Sequence, residues 1–176
     1  MTLDEDEPLE LDGMKLSGER VLSLSLERPQ LADVEVSDCD LSGVVMSSFA
    51  VRRARLLRTR LRECVWGGGL LQDVSFDECP TEQLGLRFTT LQRVTFADCA
   101  LAGADFYGAT FDRVTFTRCD LTRAHFDAAS VKQLTLHRCD LAAVTGALSL
   151  RGASVDLDDL PGLAPSLARE IGIQLT

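Results

Sequence analysis

The side chains with the widest range of possible chemistry in this 176-residue sequence are its six cysteines. Thiolates bind soft metals and form disulfides, but no two of these cysteines have the Cys-x-x-Cys spacing of many zinc sites. Residues 1–10 are acidic and contain no apolar run that resembles a signal peptide. The sequence therefore predicts free, reduced thiols in a cytoplasmic protein. The six are Cys39, Cys64, Cys79, Cys99, Cys119 and Cys139.

Other side chains that commonly take part in catalysis form no recognisable constellation. The two histidines, His125 and His137, stand at positions expected to be exposed, and there is no Gly-rich phosphate loop or nucleophile elbow. Four aspartates recur in one sequence context, which is typical of carboxylates that accept backbone amides at turns. We predict no enzymatic activity, no catalytic, cofactor-binding or metal-ligating residues, and no transmembrane segment. The four aspartates are Asp40, Asp105, Asp120 and Asp140.

An apolar residue stands at every fifth position from Leu11 to Leu141, and Thr81 is the only polar member of the series. A period of five fits neither the 3.6 of a helix nor the 2 of a strand, so it indicates a structural repeat. A second column of mostly small side chains precedes the first by two residues and contains all six cysteines. Two of every five residues are therefore expected to face inward and three outward.

Several repeats carry a family signature: Cys39-Asp40-Leu41, Ala104-Asp105-Phe106, Cys119-Asp120-Leu121 and Cys139-Asp140-Leu141. These segments resemble the Ala-Asp/Asn-Leu-x-x unit of the pentapeptide-repeat family. The resemblance implies an all-β fold, a right-handed quadrilateral parallel β-helix with four pentads in each coil. The 27 pentads would form about seven coils, followed by a short C-terminal capping α-helix. Like residues also recur every twenty positions, as in Phe76, Phe96 and Phe116, which supports this coil length.

Six arginines lie between residues 52 and 62, a cluster that could bind phosphate groups. Opposite charges, however, stand twenty residues away and would be neighbours on adjacent coils. We therefore predict ion pairs between coils and no direct nucleic-acid binding. The predicted series are Asp33–Arg53–Asp73–Arg93, Asp38–Arg58–Glu78, Arg20–Asp40–Arg60, Glu35–Arg55 and Arg62–Glu82.

We divide the chain into an acidic flexible tail (1–10), a β-helix (11–160), and a C-terminal helix with cap (161–176). After Leu141 the apolar register shifts by one, and Pro165 and Gly172 bracket a short predicted helix. Leu163, Leu167 and Ile171 would line one face of that helix. They could cover the last coil or form a homodimer seam, which the family resemblance implies for this end, and the two roles are compatible.

Candidate partner-binding residues fall into two sets. Val45, Val65 and Leu70 occupy nominally outward positions and could form an apolar patch. The acidic set is Asp4, Glu5, Asp6, Glu7 and Glu10. Trp66 is followed by three glycines, Gly67 to Gly69, which predict a backbone bulge around this large residue or, alternatively, a binding notch.

These features predict a non-enzymatic interaction protein that binds a cytosolic protein partner through its rod surface and uses no cofactor. The alternative comes from the family resemblance: a DNA-mimicking protein that protects a type II topoisomerase, DNA gyrase, from quinolone-type antibiotics. The rod shape and the net charge of −9 favour this alternative. The predicted charge pairing opposes it, because a DNA mimic needs unpaired carboxylates along its flank.

Overall fold

A computed structural model describes residues 9–174. The predicted right-handed quadrilateral parallel β-helix of about seven coils, with one C-terminal helix, is confirmed. Ten strands form one parallel sheet that wraps around two faces of the rod. Three short strands, Ser25–Glu27, Val45–Ser47 and Val65–Gly67, form a second sheet.

The elements follow one another in a regular order. The strands are β1 Glu10–Asp12, β2 Lys15–Ser17, β3 Ser25–Glu27, β4 Gln30–Ala32, β5 Glu35–Ser37, β6 Val45–Ser47, β7 Ala50–Leu57, β8 Val65–Gly67, β9 Leu70–Asp77, β10 Thr90–Ala97, β11 Thr110–Thr117, β12 Ser130–His137 and β13 Ser154–Val155. A 3-10 helix spans Ala147–Leu150, and helix α1 spans Leu160–Glu170.

The pairing register confirms the coil of twenty residues. Leu71 lies beside Leu91, and Leu91 lies beside Phe111, so each strand stacks on the chain one coil away. The last pair differs, because Leu136 lies beside Val155, nineteen residues further on. This offset confirms the predicted shift of the apolar register after Leu141.

The two predicted inward columns form the core. Phe76, Phe96 and Phe116 are fully buried and stack with nearly parallel rings, at centroid distances of 4.5 and 4.8 Å. These distances equal the spacing of adjacent strands, so identical residues on successive coils pack directly on one another. The inward residues of the first coil, such as Leu11 and Leu26, are only half-buried because no coil precedes them among the described residues.

The corners of the square section require a strained backbone. In nearly every pentad, the residue two positions after the member of the Leu11–Leu141 series adopts a positive φ, as at Asp38 (φ 55°) and Arg58 (φ 45°). Such angles are costly for residues other than glycine, and the ladders on both sides hold them in place. Asp40, Asp105, Asp120 and Asp140 stabilise other turns, because each carboxylate accepts the backbone N–H two residues later, at 2.9–3.2 Å.

The three glycines after Trp66 do not form the predicted bulge. Strand β8 pairs with β6 without interruption, from Val45 beside Val65 to Ser47 beside Gly67. Gly69 instead makes room for Phe49 of the preceding coil, since a Cβ at Gly69 would lie 2.4 Å from that ring. The oversized inward residue that the glycine accommodates is therefore Phe49, which is buried.

Helix α1 covers the C-terminal end of the rod. It begins at Leu160, earlier than predicted, with Pro161 in its first turn and Pro165 inside it. Leu163 is buried and Leu167 is half-buried against the core, whereas Ile171 is 60% exposed. The Glu170 carboxylate accepts the backbone N–H groups of Ala147 and Leu148 at 2.8 and 2.9 Å, which fixes the helix to the 3-10 turn.

Candidate protein-binding face

The arginine cluster is largely neutralised by carboxylates of adjacent coils. Arg53 donates two hydrogen bonds to Asp33, at 2.8 and 2.6 Å, and Arg58 donates two to Asp38, at 2.7 and 2.9 Å. These guanidinium groups hold the pKa of both carboxyls below the ordinary value. Arg62 forms a similar pair with Glu82. The prediction of inter-coil ion pairs is confirmed for these residues, and the cluster does not form an open cationic patch.

The predicted series of charges is not followed at every position. Glu35 pairs with Lys15, at 2.9 Å, rather than with the predicted Arg55. Asp40 lies between Arg20 and Arg60, at 3.9 and 3.3 Å, as predicted. Because all these pairs are exposed to solvent, each contributes little to stability by itself.

All six cysteines are free and buried. The thiol of Cys99 lies 3.4 Å from the carbonyl oxygen of Phe76 and 3.3 Å from that of Ala97, and the cysteines of the following coils repeat this arrangement. Burial raises the pKa of the Cys64 thiol to about 11. These thiols are therefore core residues that pack like small apolar side chains. Within residues 9–174 no group of acidic, histidine and cysteine side chains could hold a metal ion.

Two of the three predicted patch residues share one face of the rod. Val45 and Val65 are cross-strand neighbours on β6 and β8, with 37% and 50% of their surface exposed. Leu70 is half-buried in β9, which belongs to the other sheet and pairs with β7 and β10. The three residues therefore do not form a single patch, because Leu70 lies beyond a corner of the rod.

An aromatic cluster that the sequence analysis missed extends the valine pair. Phe88 is 62% exposed, and its ring meets that of Tyr107 edge to face at 5.4 Å. The Arg87 guanidinium stacks over the Tyr107 ring at 4.8 Å and also pairs with Asp105 at 3.4 Å. Phe88 occupies a corner position (φ 56°), where the other coils mostly have small or charged residues. That unusual residue type was the available sequence signal.

Glycines make room for this cluster and for the ladder beneath it. A Cβ at Gly108 would lie 2.7 Å from the Phe88 ring. Gly85 continues the ladder from Val65 to Asp105, so the cluster and the valine pair lie on the same face. We call this surface, made of Val45, Val65, Arg87, Phe88 and Tyr107, the aromatic face. Exposed aromatic and arginine side chains are enriched where proteins bind one another.

The acidic candidates lie mostly beyond the residues that can be described. Asp4, Glu5, Asp6 and Glu7 lie outside the described residues, while Glu10 is exposed on β1. In the part of the chain that the structure covers, no helix is long and apolar enough to cross a membrane.

Comparison with known protein families gives one match, over the C-terminal half of the solenoid. Residues 89–146 match the family model described as a pentapeptide repeat region. No curated protein matches the sequence. The match supports the resemblance predicted from the sequence for this part of the chain, and the fold of the molecule is a β-solenoid of about seven coils.

The chain is similar to solved structures at low sequence identity. The full-length structure of QnrB1, a plasmid-mediated fluoroquinolone resistance protein, is 14% identical, and the match covers 91% of this chain and 100% of QnrB1 with a TM-score of 0.51. HetL, a pentapeptide repeat protein involved in heterocyst differentiation regulation in the cyanobacterium Nostoc sp. strain PCC 7120, is 18% identical. That match covers 82% of this chain and 78% of HetL, with a TM-score of 0.44.

Proposed function

We propose that this chain is a non-enzymatic interaction protein of the cytoplasm that binds a protein partner through the aromatic face. The observation that carries the proposal is the exposed cluster of Phe88, Tyr107 and Arg87. Because the rings lie outside the buried core, packing of the core does not explain why aromatic residues stand at these positions. A large aromatic at a positive-φ corner also carries a conformational cost, which a role in binding would explain.

The composition of the face indicates how it would bind. Phe88 and Val65 offer apolar area on a rigid ladder, so little conformational entropy is lost when a partner covers them. Arg87 is held by both Tyr107 and Asp105 and is therefore preorganised for a planar acceptor on the partner. Because Arg87 is the only charged member of this face and is already paired with Asp105, we expect binding that depends on apolar contact and only weakly on salt.

A site-specific photocrosslinking experiment tests this proposal. A photoreactive amino acid replaces Phe88 in one variant and the exposed Leu148, far along the rod, in a control variant. We expect one protein from the native cytoplasm to be crosslinked at position 88 and not at position 148. Binding of that protein to purified chain should then weaken at least tenfold for Phe88→Ala and remain unchanged for Leu148→Ala. Equal loss in both variants, or in neither, would exclude the aromatic face as the binding surface.

A second candidate function is protection of DNA gyrase by imitation of duplex DNA. It is supported by the acidic balance of residues 1–40, which contain 12 acids and three bases. QnrB1, which has the same fold, is described as a fluoroquinolone resistance protein. The ion pairs on the flank weigh against this candidate, because the carboxylates in them are not free to replace phosphates.

Supercoiling assays distinguish the second candidate from the first. A gyrase-binding chain should inhibit or protect the enzyme, with duplex DNA as competitor and with a decreasing effect at higher salt. Neutralising Asp4, Glu5, Asp6, Glu7 and Glu10 together should reduce the effect more than neutralising Asp98, Asp112 and Asp127. If micromolar protein has no effect on gyrase, this candidate fails and the first is untouched.

We also propose that the chain forms a homodimer through its C-terminal end. Ile171 and Ile173 are both more than half exposed just beyond α1, and Leu160 is partly exposed at its start. Leu163 and Leu167 contact the core and would support this surface from beneath.

A further inference from the structure

The two ends of the rod differ in whether another element covers the terminal coil. At the C-terminal end, α1 covers the last coil. It packs so closely that a Cβ added at Gly162 would lie 3.5 Å from the backbone nitrogens of Leu141 and Ala142. At the N-terminal end, β1, β2 and β3 each pair with a strand on one side only, namely β4, β5 and β6. We call the first coil, residues 9–28, the N-terminal opening.

The N-terminal opening leads into an apolar cavity of about 240 Å³. Leu11, Met14, Leu16 and Leu26 line its mouth, and it extends inward as far as Phe76. No polar atom contributes to the exposed lining of the cavity. A cavity of this kind loses the packing contacts that a filled core would make, so an apolar occupant would be stabilised there.

The same edge carries backbone donors that have no partner within the described part of the chain. In the second coil, the N–H groups of Glu35, Asp40 and Val45 donate to carbonyl oxygens of the first coil, at 2.8–2.9 Å. Lys15, Arg20 and Ser25 hold the corresponding positions in the first coil, and their N–H groups have no acceptor among residues 9–174. Edges of this type can accept a further strand.

The charge around the opening defines what that strand would be. Glu10, Glu19 and Glu27 are exposed and form no ion pair with any described residue, and Arg28 is the one base of this coil that is also exposed and unpaired there. Lys15 and Arg20 are already paired with Glu35 and Asp40 of the next coil. A second copy of the chain would bring two acidic ends together, which is unfavourable.

We infer that the N-terminal opening is a docking site for a basic, extended segment of a partner protein in which apolar and basic residues alternate. The apolar side chains enter the cavity, and the basic ones meet Glu10, Glu19 and Glu27. The segment extends the ladder by accepting hydrogen bonds from the free edge. This site is distinct from the aromatic face and does not depend on the function proposed for that face.

Fluorescence anisotropy with synthetic peptides tests the inference. The probe is a labelled eight-residue peptide of alternating lysine and leucine, and the comparison peptides replace leucine by serine or lysine by glutamate. We expect saturable binding of the lysine–leucine peptide and at least tenfold weaker binding of both others. Hydrogen exchange at Lys15, Arg20 and Ser25 should slow when the peptide is bound, as it would not for binding elsewhere on the rod.

Matched variants locate the peptide. Glu10→Gln, Glu19→Gln and Glu27→Gln combined should weaken binding at least tenfold, whereas Glu63→Gln, Glu78→Gln and Asp158→Asn combined should leave it unchanged. Phe88→Ala should also leave it unchanged, so this result is independent of the aromatic face. The inference is overturned if the serine peptide binds equally well or if the first triple variant binds normally. It is also overturned if removal of residues 2–8 raises the affinity tenfold, since the chain's own terminus would then occupy the opening.

Discussion

At the scale of single residues, Gly69 shows how the stacked coils constrain side-chain volume. Its backbone needs no special φ, so its role is to leave space for the Phe49 ring of the preceding coil. Trp66 lies next to Phe49, with the two rings edge to face at 6.3 Å. A bulky residue on one coil is thus matched by the smallest residue on the next, because cores are packed too densely to absorb an added methyl group without adjustment.

We predict that Gly69→Ala destabilises the protein by about 1–3 kcal/mol, because its Cβ would overlap the Phe49 ring. Gly67→Ala is the matched control, since its Cβ would meet only the Arg87 carbonyl oxygen at 3.7 Å. Chemical denaturation followed by circular dichroism measures both. The double variant Gly69→Ala, Phe49→Ala should show a smaller loss than the sum of the single losses. Additive losses would show that the two side chains do not compete for one space.

At the scale of the repeated element, the cysteine column illustrates the same stacking. Cys79, Cys99, Cys119 and Cys139 succeed one another on four coils, and their thiols contact the carbonyl oxygens of the coil before. Hydrogen bonds with the neighbouring thiols of Cys119 and Cys79, followed by burial, raise the pKa of Cys99. Because all the thiols of this column are buried, a reagent cannot reach them, and the column should be unreactive in the folded protein.

A thiol reagent should therefore modify few of the six cysteines in native protein and all six after denaturation. Mass spectrometry of the labelled peptides identifies which groups react and at what rate. Introducing Thr95→Cys on the outward side of β10 provides an exposed thiol as a positive control in the same molecule. Rapid native labelling of Cys99 or Cys119 would contradict the inward orientation of the column.

The ion-pair ladders on the outside of the coils predict a dependence of stability on pH. Hydrogen bonds from arginine hold the pKa of Asp33, Asp38, Asp73 and Asp98 below the ordinary value of 3.8. The unfolded chain binds more protons than the folded one in the range just below that value. The stabilisation is therefore present above pH 4 and is lost as the pH falls through the folded-state pKa values.

Thermal melts between pH 6 and pH 3 should show a fall in Tm that is steeper for the native chain than for a variant without these pairs. The variant carries Arg53→Gln, Arg58→Gln, Arg93→Gln and Arg118→Gln, which remove the four cations and retain the carboxylates. Equal slopes would show that the ladders do not contribute to the acid dependence. The difference is expected to be small at high salt, because exposed pairs are screened.

At the scale of the whole molecule, the two ends determine what the rod can associate with. The C-terminal end is covered by α1 but presents Ile171 and Ile173. At the other end, no described residue covers the first coil, which exposes Glu10, Glu19 and Glu27. This asymmetry favours self-association at one end and a basic partner at the other.

We predict that Ile171→Lys combined with Ile173→Lys converts a dimer to a monomer without lowering the Tm, because both side chains are exposed. Sedimentation velocity measures the oligomeric state. Leu22→Lys, an exposed leucine at the opposite end, is the control and should leave the dimer intact. Leu163→Lys, by contrast, should lower the Tm, since it places a charge against the core. A native chain that is monomeric at micromolar concentration would contradict the proposed dimer.

The inward columns, the twenty-residue coil and the register shift near the end were all predictable from the sequence. Each depends on a period that repeats many times, so a single irregular position such as Thr81 does not obscure it. The inter-coil ion pairs around Arg53 and Arg58 were predictable for the same reason. The start of α1 was not, because Pro161 and Pro165 are both compatible with a first helical turn, and the packing of Leu163 on the last coil selects between them.

The sequence alone determined that the chain winds into a solenoid and which side chains fill it, because burial of two residues in five is a local, periodic requirement. Only the tertiary structure decided which outward residues share a surface. Val65 and Leu70 are five residues apart but lie in different sheets, whereas Phe88 and Tyr107, nineteen apart, are in contact. It also decided that one end is covered and the other open. Both depend on how coils stack and where the stack stops, which no local period contains.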